Sequence, residues 1–136
     1  MAKYVGGCLC GQVRYEIDAE PIVGLQCQCR NCQKRSGTGH ASFMAFPKAA
    51  VKLTGPLKYH AVKADSGHMA SVGFCTECGS HVSGKSTGAP DLVPIMAGTL
   101  DDPDLFTPQM VIFAARANAW DRVDPALPKF PGMPPM

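Results

Sequence analysis

Apolar and polar residues alternate over short stretches of this chain and do not recur with helical spacing. The clearest case is Gln12–Asp18, in which Val13, Tyr15 and Ile17 fall on one face and polar residues on the other. This pattern is typical of a strand buried on one side. Seven further short segments, separated by turn-forming residues, are predicted to be strands: Ile22–Leu25, Ser42–Phe46, Val51–Thr54, Leu57–Ala61, His68–Phe74, Ile95–Leu100 and Met110–Ala114.

One short helix is predicted among these strands. It covers Arg30–Ser36 and is ended by Gly37 in the position of a C-cap. The whole pattern predicts a mainly β, single-domain protein of short antiparallel strands. The domain is expected to span residues 1–136, with a core over about 4–124 and a proline-rich tail, 125–136, extended over the surface.

Composition and charge narrow the class of protein. Charged residues make up 18% of the 136 positions and hydrophobic residues 46%, which fits one folded domain and excludes a disordered chain. No stretch of about 18 consecutive apolar residues occurs, so no membrane span is expected. The first residues lack the apolar segment of a signal peptide, which predicts a cytoplasmic protein with reduced thiols. Lysine and arginine form no run, so nucleic acid is not an expected partner.

The seven cysteines carry the main chemical signal. An odd number excludes complete pairing into intrachain disulfides, and bridging Cys8 to Cys10 across one residue would be strained. The C-x-C of Cys8 and Cys10 and the C-x-x-C of Cys75 and Cys78 are each flanked by glycine and together offer four thiolates. Four thiolates close a tetrahedral site, so these residues are predicted to hold a structural zinc ion.

The remaining cysteines, Cys27, Cys29 and Cys32, lie within six residues. Three protein ligands are the number that usually holds a catalytic zinc ion, so this trio is predicted to form an active site. Three thiolates weaken zinc as a Lewis acid, which favours activation of a further thiol over formation of hydroxide. Completion of this site by a histidine, above all His40, is the alternative.

Less specific interpretations of these residues are weaker than metal binding. The pairs Cys29-x-x-Cys32 and Cys75-x-x-Cys78 could be redox pairs, but neither lies after a strand and before a long helix, as a thioredoxin motif would. Some cysteines could also be buried as small hydrophobes. Lys34 and Arg35 follow the trio and are candidates to bind the carboxylates of an anionic thiol, although a solvated helix face explains them equally well.

Five stretches of the chain resemble one known family: GGCLCGQVRYE, CQCRNCQKRSG, FCTECGSHV, GTLDDP and the C-terminal Trp120 with Leu127-Pro128-Lys129-Phe130. They are similar to the glutathione-dependent formaldehyde-activating enzyme family, which also includes centromere protein V. The resemblance implies a β-tent-like fold, with a structural zinc at the first four cysteines described above and a catalytic zinc at the trio. It also implies a carbon–sulfur lyase that joins the thiol of glutathione to formaldehyde. Many members carry histidine where this chain has Gln28 and Val111.

These observations lead to one functional hypothesis and one alternative. The hypothesis is a zinc-dependent carbon–sulfur lyase with two zinc ions per chain, in which a bound thiol, glutathione or a similar molecule, adds to an aldehyde such as formaldehyde. The alternative is a non-catalytic zinc-binding module that carries glutathione or binds a protein partner. Binding of a small thiol at the metal separates an enzyme or carrier from an interaction module.

Overall fold

The structure is a computed structural model that describes residues 2–64 and 66–134. Strands dominate this part of the chain, and the one α-helix follows the third strand. The elements in chain order are β1 (Tyr4–Gly7), β2 (Arg14–Ile17), β3 (Val23–Cys27), α1 (Arg30–Ser36), β4 (Ala41–Pro47), β5 (Val51–Thr54), β6 (Leu57–Lys63), β7 (Met69–Cys75), β8 (His81–Ser86), β9 (Leu92–Met96) and β10 (Met110–Ile112). Short 3-10 turns cover Lys48–Ala50, Ala97–Thr99, Pro103–Leu105 and Ala114–Arg116.

The strands form two sheets. The smaller sheet has the order β1-β2-β5, and the larger has the order β10-β3-β4-β9-β8-β7-β6. Neighbouring strands are antiparallel except for β10 and β3, which run parallel with Ile112 opposite Cys27. The prediction of a mainly β domain with short antiparallel strands is confirmed. No helix in the described part of the chain is both long and apolar enough to cross a membrane.

The main core draws on both sheets. On β2 burial alternates, so that Tyr15 and Ile17 are buried while Arg14 and Glu16 are exposed. This is the alternation that the sequence predicts, and it directs the apolar face of the small sheet into the protein. The larger sheet contributes a matching set of buried side chains: Met44, Phe46, Val82 and Ile95.

A second, smaller buried cluster surrounds three of the cysteines. Leu25, Ala41 and Ile112 belong to it together with the cysteine trio, Cys27, Cys29 and Cys32. Half-buried side chains pack around this cluster, among them Phe43, Met96, Phe113 and Phe130. The trio therefore lies in an apolar environment on β3 and α1, supported by β4 and β10.

The predicted helix has the observed bounds, and Gly37 ends it in the left-handed conformation with φ 75°. One strand prediction is wrong, and two strands were not predicted. The strand expected over Ile95–Leu100 lies instead at Leu92–Met96, followed by a 3-10 turn, and β1 and β8 correspond to no predicted segment. Strand propensity and local alternation are weak in these segments, and pairing with other strands determines their positions.

The proline-rich tail is attached to the sheet by backbone hydrogen bonds. The Val111 amide donates to the carbonyl of Pro128 at 2.9 Å, and the Phe130 amide donates to the carbonyl of Val111 at 2.9 Å. The tail was expected to lie extended over the surface, and the structure adds that it pairs with β10. Positions 135 and 136 of the predicted tail lie outside the described residues.

Candidate metal centres

The first candidate centre contains Cys8, Cys10, Cys75 and Cys78, whose sulfur atoms all lie within 4.8 Å of one another. The sulfurs of Cys8 and Cys10 are 3.5 Å apart, and those of Cys10 and Cys75 are 3.8 Å apart. Four sulfurs at about 2.3 Å from a tetrahedral zinc ion are separated by about 3.8 Å. The donor set and its spacing therefore fit a closed four-thiolate metal site.

Two tight loops bring these four cysteines together. Between β1 and β2, Gly11 adopts φ 84° and the amide of Val13 donates to the sulfur of Cys8 at 3.2 Å. Between β7 and β8, Gly79 adopts φ 76° and the amide of Glu77 donates to the sulfur of Cys75 at 3.4 Å. A positive φ favours glycine, and amide donation to sulfur stabilises the thiolate that a metal requires.

Ser80 connects the two loops, although the cysteine pattern predicted no role for it. Its hydroxyl accepts a hydrogen bond from the Leu9 amide at 3.0 Å and lies 3.2 Å from the sulfur of Cys78. Donation by Ser80 is the largest cause that lowers the pKa of Cys78 to about 5. The signal was available, because Ser80 directly follows the Cys-Gly of the second loop.

The second candidate centre is the cysteine trio. Cys27 ends β3, Cys29 is the N-cap of α1 and Cys32 lies in the first helical turn. All three are buried, with 4%, 6% and 7% exposure, and their sulfurs lie within 4.8 Å of one another. The strand end and the helix start thus converge on one point, and the Cys32 amide donates to the sulfur of Cys29 at 3.3 Å.

Electrostatics indicates that the trio needs a cation to carry three thiolates. Hydrogen bonds from the Cys27 and Cys32 thiols lower the pKa of Cys29 to about 2. Hydrogen bonds with Cys29 and Cys32, followed by burial, raise the pKa of Cys27, because a second thiolate would face the first inside an apolar cluster. One thiolate in the trio therefore disfavours a second, whereas a bound metal ion would favour deprotonation of all three.

No histidine or carboxylate among the described residues joins either sulfur group. His40, the suggested fourth ligand, has Nδ1 at 2.9 Å from both carboxylate oxygens of Asp121 and Nε2 at 3.3 Å from the amide nitrogen of Gln26. The structure places its ring in this polar network and outside the sulfur group.

The two predicted anion-binding residues lie in different environments. Lys34 is exposed on α1, whereas Arg35 is half-buried. The charge of Arg35 contributes to lowering the pKa of Cys29, as a smaller influence than the neighbouring thiols. Of the two, Arg35 is the one whose charge acts on the trio.

A buried glutamine lies between the first two cysteines of the trio and was not assigned a role from sequence. Gln28 is 1% exposed, and its side-chain amide donates to Asp121 at 3.0 Å. It lines an open cavity of about 450 Å³ together with residues of the C-terminal segment, including Ala114, Ala117 and Arg122. None of the cysteine trio lines this cavity.

A mainly β domain with one four-cysteine and one three-cysteine group belongs to the class of proteins whose cysteine clusters can bind metal ions. The model of the glutathione-dependent formaldehyde-activating enzyme family matches residues 3–116. The match covers most of the chain, so the protein belongs to this family.

A solved structure supports the fold independently. The chain is similar to the crystal structure of a Rhodobacter sphaeroides protein from a structural genomics project, with a TM-score of 0.59 and 20% sequence identity. The similarity covers 76% of this chain and 96% of the Rhodobacter chain. At this level of identity the likeness concerns the fold alone.

Proposed function

We propose that the protein is a zinc-dependent carbon–sulfur lyase that adds a small thiol to an aldehyde. The observation that carries the proposal is the buried cysteine trio, which offers three sulfur ligands where the other group offers four. Three protein ligands are typical of catalytic zinc and four of structural zinc. Membership of the family supports glutathione as the thiol and formaldehyde as the aldehyde.

The roles of the two cysteine groups differ in this proposal. One zinc ion is held by the four-cysteine group and connects the loop after β1 to the loop after β7; its ligands are Cys8, Cys10, Cys75 and Cys78. The second zinc ion is held by the trio, Cys27, Cys29 and Cys32. A zinc ion held by these three thiolates would keep one coordination position for an external ligand, at which an incoming thiol would bind in its thiolate form.

The chemical step needs no oxidant or reductant. The sulfur of the thiol attacks the carbonyl carbon, the carbon–sulfur bond forms and the carbonyl π bond breaks. The proton lost by the thiol ends on the new hydroxyl oxygen, so thiol and formaldehyde together give the S-hydroxymethyl product. Arg35 contributes positive charge near the trio and is proposed to meet a carboxylate of glutathione.

NMR exchange spectroscopy with ¹³C-formaldehyde and glutathione tests the activity. It measures the rate at which the adduct forms, which can be compared with the spontaneous rate without protein. We expect the zinc-loaded protein to accelerate exchange and Cys32→Ser to abolish the acceleration. Arg35→Met should raise the glutathione concentration required while leaving a small neutral thiol unaffected. A loaded, folded protein that never exceeds the spontaneous rate would favour the alternative of a non-catalytic zinc module.

A further inference from the structure

Phe113 has an unusual backbone conformation. It follows β10 directly and adopts φ 55° and ψ 36°, in the left-handed region. Every other described residue with positive φ is a glycine. A bulky aromatic residue in this region is strained, and such strain persists where the surroundings impose it and often marks a functional position.

Hydrogen bonds on both sides hold Phe113 in this conformation. Its amide donates to the carbonyl of Gly132 at 3.0 Å, and its carbonyl accepts from the amide of Arg116 at 3.0 Å. The next amide, that of Ala114, donates to the carbonyl of Phe130 at 2.9 Å. The C-terminal tail and the following 3-10 turn together therefore fix the strained residue.

The left-handed turn changes where the Phe113 ring can lie. In a continuing strand, adjacent side chains point to opposite faces, so Phe113 would leave the face of Ile112. Ile112 is opposite Cys27 and belongs to the buried cluster that contains the cysteine trio. Phe113 packs against that same cluster, next to Ile112 in sequence.

We propose that Phe113 is a specificity-determining residue of the three-cysteine site. Its ring forms an aromatic wall against the cluster that contains the trio, and the strained backbone keeps the ring there. The wall limits the size of the molecules that reach the sulfur atoms and any metal bound to them. The part of this inference that concerns thiols rests on the proposed function, whereas the part that concerns access to the trio does not.

The strain can be measured by comparing two truncations. Phe113→Ala and Phe113→Gly both remove the ring, but only glycine tolerates φ 55° without strain. We expect the folding equilibrium constant of Phe113→Gly to exceed that of Phe113→Ala by about fivefold in urea titrations. Equal stability of the two variants would overturn the premise that strain is stored here.

Access to the trio is measured by the rate at which a bulky coloured chelator, 4-(2-pyridylazo)resorcinol, removes zinc from the loaded protein. We expect the faster phase of zinc release to accelerate on the order of tenfold in Phe113→Gly and little in Phe113→Leu. The matched control is Phe106→Ala, which removes a half-buried ring that packs against the main core instead. Release from Phe113→Gly no faster than from Phe106→Ala would overturn the proposal.

A titration of cobalt-substituted protein separates this proposal from the proposed function. The absorption change on adding 2-mercaptoethanol and glutathione gives the affinity of a small and a large thiol. We expect Phe113→Gly to change the ratio of the two affinities, whereas Phe106→Ala keeps the wild-type ratio. If neither thiol binds any variant, the proposed function fails and zinc release alone decides the role of Phe113. If both thiols bind with an unchanged ratio, the proposed function stands and the role of Phe113 in thiol selection fails.

Discussion

At the scale of single residues, burial favours the neutral protonation state of the His81 side chain in the folded protein. Its Nε2 lies 3.0 Å from the carbonyl of Ser83, so Nε2 carries the hydrogen and donates it. Nδ1 is buried with no hydrogen-bond partner in the described structure. Burial, followed by the positive charge of Arg35, lowers the pKa of His81 to about 4.

This pKa predicts that His81 destabilises the protein in mild acid. Between pH 6.5 and about 4 the unfolded chain binds a proton at His81 that the folded protein does not bind, so stability falls as pH falls through this window. Because the side chain is partly solvated, we expect a loss of about 1–2 kcal/mol. His81→Gln, which keeps an amide donor, should remove this share of the pH dependence in urea titrations. If the difference in free energy of unfolding between the wild type and His81→Gln stays constant from pH 7 to pH 4, His81 is not the group responsible.

At the scale of elements, strands with strong alternation were predictable and those lacking it were not. β1 contains Gly6 and Gly7, which have low strand propensity. Gly6 is needed because a Cβ there would collide with the ring and hydroxyl of Tyr15 and the carbonyl of Thr99, contacts that sequence does not reveal. β8 is buried over Val82–Gly84 without alternating polarity.

The misplaced strand has a related explanation. Pro94 within β9 argues against a strand at that position because proline cannot donate a ladder hydrogen bond. Its carbonyl instead accepts from the hydroxyl of Ser83 at 2.8 Å, which ties β9 to β8. The position of this strand is therefore determined by pairing with other strands, and the local sequence around Pro94 does not predict it.

Helix α1 depends on a cysteine that has two roles. Cys29 is the N-cap, and its sulfur accepts the Cys32 amide hydrogen while belonging to the trio. Cys29→Ser keeps an acceptor at the cap, whereas Cys29→Ala removes it. We expect both variants to lose metal from the second centre, with the alanine variant less stable than the serine variant by about 1 kcal/mol. Urea denaturation of the two proteins measures the difference, and equal stability would show that the cap contributes nothing.

At the scale of the whole molecule, the sequence predicted which cysteines belong together but not what surrounds them. The glycine-flanked C-x-C and C-x-x-C motifs predicted the group of four and left the closely spaced group of three, and the structure brings together the same sets. That these sets hold zinc stays a prediction. The Asp121–His40 pair and the position of Phe113 arise from contacts between segments far apart in the chain, which no local pattern encodes.

The four-cysteine group joins loops about 65 residues apart in sequence, which predicts unequal effects of mutation in the two groups. Cys78→Ser should lower the melting temperature by more than about 10 °C or prevent folding, because a metal ion held there would contribute folding free energy. Cys32→Ser should give a folded protein without the second metal. Circular dichroism melting with metal analysis checks both. Equal loss of stability in the two variants would mean that the trio is structural too.

The central claim is that the trio presents a metal ion to an external thiol, and cobalt substitution tests it most directly. Sulfur-to-cobalt charge-transfer absorption reports the number of thiolate ligands. With seven cysteines bound, we expect glutathione to raise this absorption by about one part in seven and to alter the visible bands. The increase should weaken at low pH because the thiol loses its proton on binding, and oxidised glutathione should have no effect. A fully loaded second centre whose spectrum does not respond to glutathione or any other small thiol would contradict the account.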